Sequence, residues 1–230
     1  FEREYVVISE LMEHPQRPCV FVLGGAKVGD AFLMMDTVLS RGSADQVLTG
    51  GLVANILLAA KGEKIGQGSM DYIEQSNNAQ YIQTAKELLA KHADQIVVPQ
   101  TLAYLDNGER REQALTALPD NASALDIGTE DARRYAEIIR QAKTVFVNGP
   151  MGVFEEAQTE HGTKIVWDAL GDTQAYTVIG GGDSITATSK YAKTEHIGYI
   201  CAGGGGLLRF LTGEELPVVK ALRHAAIAFA

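Results

Sequence analysis

Ala175-Tyr176-Thr177-Val178-Ile179-Gly180-Gly181-Gly182-Asp183-Ser184 joins three local signals in ten residues. The aromatic and β-branched run from Tyr176 to Ile179 predicts a buried strand. Gly180, Gly181 and Gly182 let the backbone pass close to a partner, with no Cβ in the way. Asp183 and Ser184 are good N-cap residues for the helical pattern that follows. A strand, a glycine turn and a helix start together make an anion site, because the first turn of a helix carries unpaired N–H groups at the positive end of its dipole. A carboxylate at such a site suits a cation held between it and a phosphate, which points to Mg²⁺ on a nucleotide, with Asp183 as its ligand.

The same event recurs along the chain. Cys19–Leu23 runs into Gly24-Gly25-Ala26-Lys27, Gln46–Thr49 into Gly50-Gly51, and Thr144–Val147 into Asn148-Gly149-Pro150. The run at 196–202 meets Gly203-Gly204-Gly205-Gly206. Helical patterns follow, over 31–39, 52–61 and 129–141, with a longer stretch at 69–92 broken near Ser76-Asn77-Asn78. Strand–helix alternation predicts an α/β fold, a three-layer α/β/α domain with a mainly parallel, Rossmann-like sheet. The alternation fails between Pro99 and Ala124, where the turn at Leu105–Glu109 predicts a small antiparallel excursion. Ala124–Gly128 then reads as a return to the main pattern, with Thr129 as a helix cap. In such a sheet the loops after the strands gather at one edge, where ligands bind.

Composition limits the partners. With 230 residues, 46% hydrophobic and 21% charged, the chain can bury a proper core. A net charge of −9 argues against a nucleic-acid partner. No apolar run approaches the roughly 18 residues of a membrane helix, so no membrane partner is expected and the expected location is cytoplasmic. Cys19 and Cys201 lie in strand-like runs and read as buried reduced thiols, with a Cys201 nucleophile as the rival reading. The five histidines lack metal-ligand spacing and are assigned to the surface.

No P-loop pattern is present. Gly24-Gly25-Ala26-Lys27-Val28-Gly29 nearly matches the dinucleotide fingerprint, but Ala26 replaces its second glycine and Thr49, not an acid, ends the second strand. A nicotinamide oxidoreductase is therefore a second choice, and a non-catalytic nucleotide-binding module a third. Lys27, in a glycine loop after an apolar strand, is the position where an anion is expected, because a lysine there is costly without one. Phosphoryl transfer uses such a point charge with backbone donors and Mg²⁺. Glu155 reads as a first-turn carboxylate that either meets ribose hydroxyls or complements the helix dipole.

Leu23-Gly24-Gly25-Ala26-Lys27-Val28, Asn148 to Glu155 and Gly180 to Ser184 together resemble the phosphoglycerate kinase family, over residues 1–221. The likeness is to the C-terminal, nucleotide-binding half only, and Leu48 to Asn55 is most similar to archaeal members. The resemblance implies a hinge helix at 1–14, a nucleotide-binding domain at 15–221, a tail at 222–230 and a substrate domain absent from this chain. By resemblance, Lys27 and Gly203, Gly204 and Gly205 meet the transferred phosphoryl group. Gly25, Ala26, Gly50, Gly51 and Leu125 line the adenine and ribose pocket, and Gly24 counts among the nucleotide-binding residues. Asn148, Pro150, Val153 and Glu155 hold the ribose and nearby phosphate, Gly180, Gly181, Gly182 and Ser184 lie at the phosphates, and Asp183 ligates Mg²⁺. The implied reaction passes a phosphoryl group between 1,3-bisphosphoglycerate and ADP, giving ATP and 3-phosphoglycerate, in an enzyme expected to be a monomer when full length.

Ala31 stands where many members have a second lysine, Tyr199-Ile200-Cys201-Ala202 where they have His-x-Ser-Thr, and Arg209 where a glutamate is common. The ten arginines fall mostly in expected helix faces and turns, with only Arg209 near a glycine loop, so the clamp for an acyl-phosphate substrate is expected elsewhere.

Overall fold

The computed structural model describes residues 2–202 and residue 212. Gly203, Gly204, Gly205, Arg209 and the tail at 222–230 lie outside the described residues. Six strands form one all-parallel sheet: β1 (Cys19–Leu23), β2 (Gln46–Thr49), β3 (Ile96–Val97), β7 (Thr144–Asn148), β8 (Tyr176–Gly180) and β9 (Tyr199–Cys201). Their order is β3-β2-β1-β7-β8-β9. The chain builds outward one way from β1 and then the other way from β7, so the switch point lies between those two strands.

The strands show why both faces need cover. All five residues of β1 are buried. Cys19, Phe21 and Leu23 pack into one apolar cluster with α1 (Glu2–Glu13), α2 (Val28–Ser40), α3 (Gly51–Ala60), α4 (Gln67–Gln75) and α5 (Tyr81–His92). Val20 and Val22 point the other way, into a cluster with α6 (Thr129–Gln141), α7 (His161–Asp172) and α8 (Gly182–Tyr191). The period of two along a strand thus divides its side chains between two helical layers. Cys19 and Cys201 are both buried, and burial pushes each thiol up to about 12. That is the reading of inert buried thiols, and it removes the Cys201 nucleophile.

The excursion is a second, antiparallel sheet. β4 (Thr101–Asp106) and β5 (Glu109–Ala114) form a hairpin whose turn residues Asn107 and Gly108 both have positive φ, the primed geometry that matches strand twist. Two expectations are corrected here. Ala124–Gly128 does not rejoin the main sheet: β6 (Asp126–Ile127) pairs antiparallel with β4. The reason is Asp126, a buried carboxylate that needs the Arg110 guanidinium supplied by β5. Thr129 does not cap α6, since Gly128 holds that position and the Thr129 hydroxyl donates to Glu112 Oε2 at 2.8 Å.

The loops after β1, β2 and β7 lie against one another at the carboxyl edge of the sheet. Gly24 N–H donates to Asn148 O at 3.0 Å and Gly25 N–H to Pro150 O at 2.8 Å, across the switch point. Gly51 N–H donates to Met151 O at 2.8 Å, and Gly50 N–H to Leu23 O at 3.3 Å. A Cβ on Gly50 would lie 2.6 Å from Met151 Sδ, and one on Gly149 would collide with Gly24 O. Gly149 also has φ +99°. Gly149→Ala therefore combines left-handed strain with a backbone collision and should destabilise the fold by at least about 3 kcal/mol. Gly62→Ala, at φ +77° with nothing within 4 Å of its Cβ, should lose only about 1 kcal/mol from conformation. Urea unfolding of both variants checks this; equal losses would mean the loop contact is not tight.

Candidate functional site

One cavity of about 500 Å³ opens at this loop edge. Gly25, Ala26, Gly51, Leu125, Pro150, Val153, Glu155 and Asp183 line it, eight of the positions singled out from sequence. They come from the loops after β1, β2, β7 and β8, with Leu125 from the segment entering β6. Much of the other lining comes from a region that motif reasoning passes over: Ser69, Tyr72 and Gln75 on α4, with Ser123 and Ala124 ahead of β6.

The wall is tied together by backbone bonds. Val153 N–H donates to Leu125 O at 2.8 Å, and Leu125 N–H to Ala103 O at 2.9 Å. Ser69 Oγ accepts from Ala124 N–H at 2.8 Å. Cβ atoms on Gly66 and Gly68 would strike Ala122 O and Ser123 Oγ, so the start of α4 lies flat on this wall. The result is a slot with an apolar lip at Leu125 and Val153 and a carboxylate, Glu155, on its rim. It suits a flat, partly apolar ring system joined to a polyol.

At one side the slot meets the start of α8. Gly181, at φ +90°, precedes the helix. Gly182 is exposed, and a Cβ there would meet nothing within 4 Å. Asp183 is exposed in the first turn. The N–H groups of that turn and its dipole end suit an anion. Asp183 is the one Asp in that turn, and no group of three or more His, Cys, Asp or Glu side chains fit to hold a metal occurs among the described residues. This donor set fits Mg²⁺ carried on a phosphate chain, which takes one or two carboxylates, better than a protein-made cage.

Several expected roles change. Ser184 does not cap α8, because Gly181 holds that position. It is fully buried, and its hydroxyl accepts from Gly149 N–H at 2.7 Å, so it braces the switch-point loop. Gly180 is the last residue of β8, paired with Asn148. Gly24, Gly25, Gly50 and Gly51 provide close approach between loops, with their N–H groups already bound to protein carbonyls. Glu155 is in no helical turn: the next helix starts only at His161. Gly24, Lys27, Gly50, Asn148, Gly180, Gly181, Gly182 and Ser184 flank the cavity without lining it. Lys27 sits at the N-cap of α2, exposed and without an ion pair to any described residue.

Sequence reasoning misses Asp126 and Arg110. Burial pushes Asp126 up to about 6, against the pull of the Gly162 amide and the Arg110 guanidinium. Arg110 lies on β5 with its side chain only 8% exposed, neither on a helix face nor in a turn. His92 is also not a plain surface residue, for it sits between Asp36 Oδ1 at 3.3 Å and Ser40 Oγ at 3.4 Å. Thr49 ends β2 by donating to Val97 O at 2.7 Å, which leaves no acid there for a dinucleotide ribose.

The phosphoglycerate kinase family model matches residues 1–214. The chain is 42% identical over 224 residues to the phosphoglycerate kinase of Methanothermobacter thermautotrophicus, covering 97% of this chain and 54% of that protein. It is 40% identical to that of Methanothermus fervidus, again with 97% and 54% covered. The crystal structure of phosphoglycerate kinase from Pyrococcus horikoshii superimposes with a TM-score of 0.89 at 38% identity, over 96% of this chain and 56% of that one. For the Coxiella burnetii enzyme the TM-score is 0.84 at 30% identity, over 95% and 56%. The chain thus spans about half the length of the relatives it matches. A six-stranded parallel sheet with glycine loops packed at its switch point, matched over nearly all its length by these proteins, places the chain in the phosphoglycerate kinase family.

Proposed function

We propose that this chain is the nucleotide-binding half of a phosphoglycerate kinase and takes Mg-ADP or Mg-ATP in the slot at the loop edge. The observation that carries this reading is the convergence of the β1, β2, β7 and β8 loops on one cavity of about 500 Å³ beside the start of α8. The base and ribose lie between Leu125 and Val153 on one side and Gly25, Ala26 and Gly51 on the other. Glu155 accepts from ribose hydroxyls. The phosphates run toward the first turn of α8, where unpaired N–H groups meet them. Mg²⁺, when bound, neutralises phosphate charge beside Asp183.

Lys27 needs no desolvation and no broken ion pair to reach an anion, because it is exposed and unpaired among the described residues. It offers a point charge to the phosphoryl group that moves between 1,3-bisphosphoglycerate and ADP. Gly203, Gly204 and Gly205 follow β9 in sequence, as the other loops follow their strands, and we assign them to the same group. The 3-phosphoglycerate end belongs to the other half of the full-length relatives, joined through α1 (Glu2–Glu13). We place the protein in the cytoplasm and expect a monomer when the halves are joined. Among the described residues no helix is long and apolar enough to cross a membrane.

Calorimetry of the 230-residue chain with Mg-ADP and with NAD tests the ligand class. Heat of binding with Mg-ADP and none with NAD is expected; the reverse would return the nicotinamide reading. In a protein that carries both halves, Lys27→Ala should lower kcat by a factor on the order of 10² to 10³, with ADP affinity changed by less than about threefold. Unaltered kcat would make Lys27 an ordinary surface lysine.

A further inference from the structure

Arg110 reaches the cavity wall without touching the cavity. Its Nη1 donates to Asp126 Oδ2 at 2.9 Å and to Gln158 O at 3.0 Å. Its Nη2 donates to Ile127 O at 3.1 Å and to Glu112 Oε1 at 3.3 Å. The backbone N–H of Arg110 donates to Gln158 Oε1 at 3.2 Å. One residue of the antiparallel hairpin therefore holds three segments: its own strand, the Asp126–Ile127 edge, and the loop that leads into α7. Asp126 extends the clamp, accepting from Gly162 N–H at 2.8 Å in the first turn of α7.

These segments carry the slot's apolar lip. Leu125, Asp126 and Ile127 line the cavity on one side of the clamp, and Val153 and Glu155 belong to the loop held at Gln158. That loop has no helix or strand of its own between Asn148 and His161. It is fixed at its start by the switch-point bonds, in its middle by Val153 N–H on Leu125 O, and at its end by Thr159 Oγ1 on Val153 O and the Arg110 clamp. A buried ion pair of this kind adds little net stability, because desolvation offsets the attraction. Arg110 Nε is buried with no hydrogen-bond partner among the described residues, which is a further loss. What the guanidinium provides instead is geometry, since its planar fork meets four acceptors from three segments at once.

We propose that Arg110 is a positioning residue for the nucleoside slot: through Asp126, Ile127 and Gln158 it sets the separation of Leu125 from Val153 and Glu155. The inference rests on the nucleotide reading above and names what tunes that site. Removing the fork lets the lip widen, so nucleoside affinity falls although no atom of Arg110 touches the ligand.

The test measures Kd for Mg-ADP and for adenosine on the 230-residue chain and on Arg110→Met and Gln158→Leu, well below each melting temperature. Arg110→Met should weaken both ligands about tenfold and by the same factor, because adenosine carries no phosphate. Gln158→Leu, at an exposed position where a side-chain bond to the hairpin is lost, should weaken both about threefold. Hydrogen exchange should quicken at the Val153 and Gly162 amides and stay unaltered in β1 and β7. Affinities within twofold of the parent in a folded Arg110→Met would overturn the proposal. If that variant does not fold, unchanged affinity in Gln158→Leu overturns it instead. A parent chain that binds neither ligand would sink the nucleotide reading, and this inference with it, whereas a binding parent with indifferent variants sinks the inference alone.

Discussion

Backbone lies on backbone where β1 and β7 give way to their loops. The sheet reverses direction of growth at that point, so two neighbouring strands send their chains to opposite faces and leave a crevice between them. Gly24 and Gly25 close the crevice by hydrogen-bonding to Asn148 and Pro150, and Gly51 joins them through Met151. Any side chain at Gly24 or Gly149 would drive the loops apart. Ser184 locks the arrangement from below through its bond to Gly149 N–H. The cavity, the exposed first turn of α8 and the free end of Lys27 are all placed by this one contact.

That arrangement changes what the glycines mean. A glycine-rich loop at a sheet edge invites the view that each N–H is kept for a ligand. Here the N–H groups of Gly24, Gly25, Gly50, Gly51 and Gly149 are already bound within the protein. Their shared task is close approach, and the donors left for an anion are those of the α8 first turn. The geometry thus gives these five amides the closing of the crevice as their part.

Much of the fold is legible in the sequence because the signals are local. A continuous apolar run of five residues announces β1, shorter ones within Gln46–Thr49 and Thr144–Val147 announce β2 and β7, and the Asn107-Gly108 turn announces the hairpin. Asp126–Ile127 misleads, because a short apolar run before a helical pattern looks the same whichever sheet it joins. Only the partner of Asp126, sixteen positions away on β5, decides the matter. Arg110 escapes notice for the same reason, since a charged residue in a mostly exposed strand carries no local sign that it turns inward. Asn148-Gly149-Pro150 resembles a helix start and so suggests a helical Glu155, whereas the chain stays irregular until His161. The cavity's far wall at Ser69, Tyr72, Gln75, Ser123 and Ala124 has no motif at all; it is made by α4 lying on the segment that enters β6.

A crystal structure of the chain with Mg-ADP bound tests the central claim most directly. The account predicts the adenosine between Leu125, Val153 and the Gly25-Ala26 backbone, with its phosphates directed at the first turn of α8. Density for the nucleotide at the opposite edge of the sheet, in the polar depression beside Arg140, Lys143 and Tyr176, would contradict it.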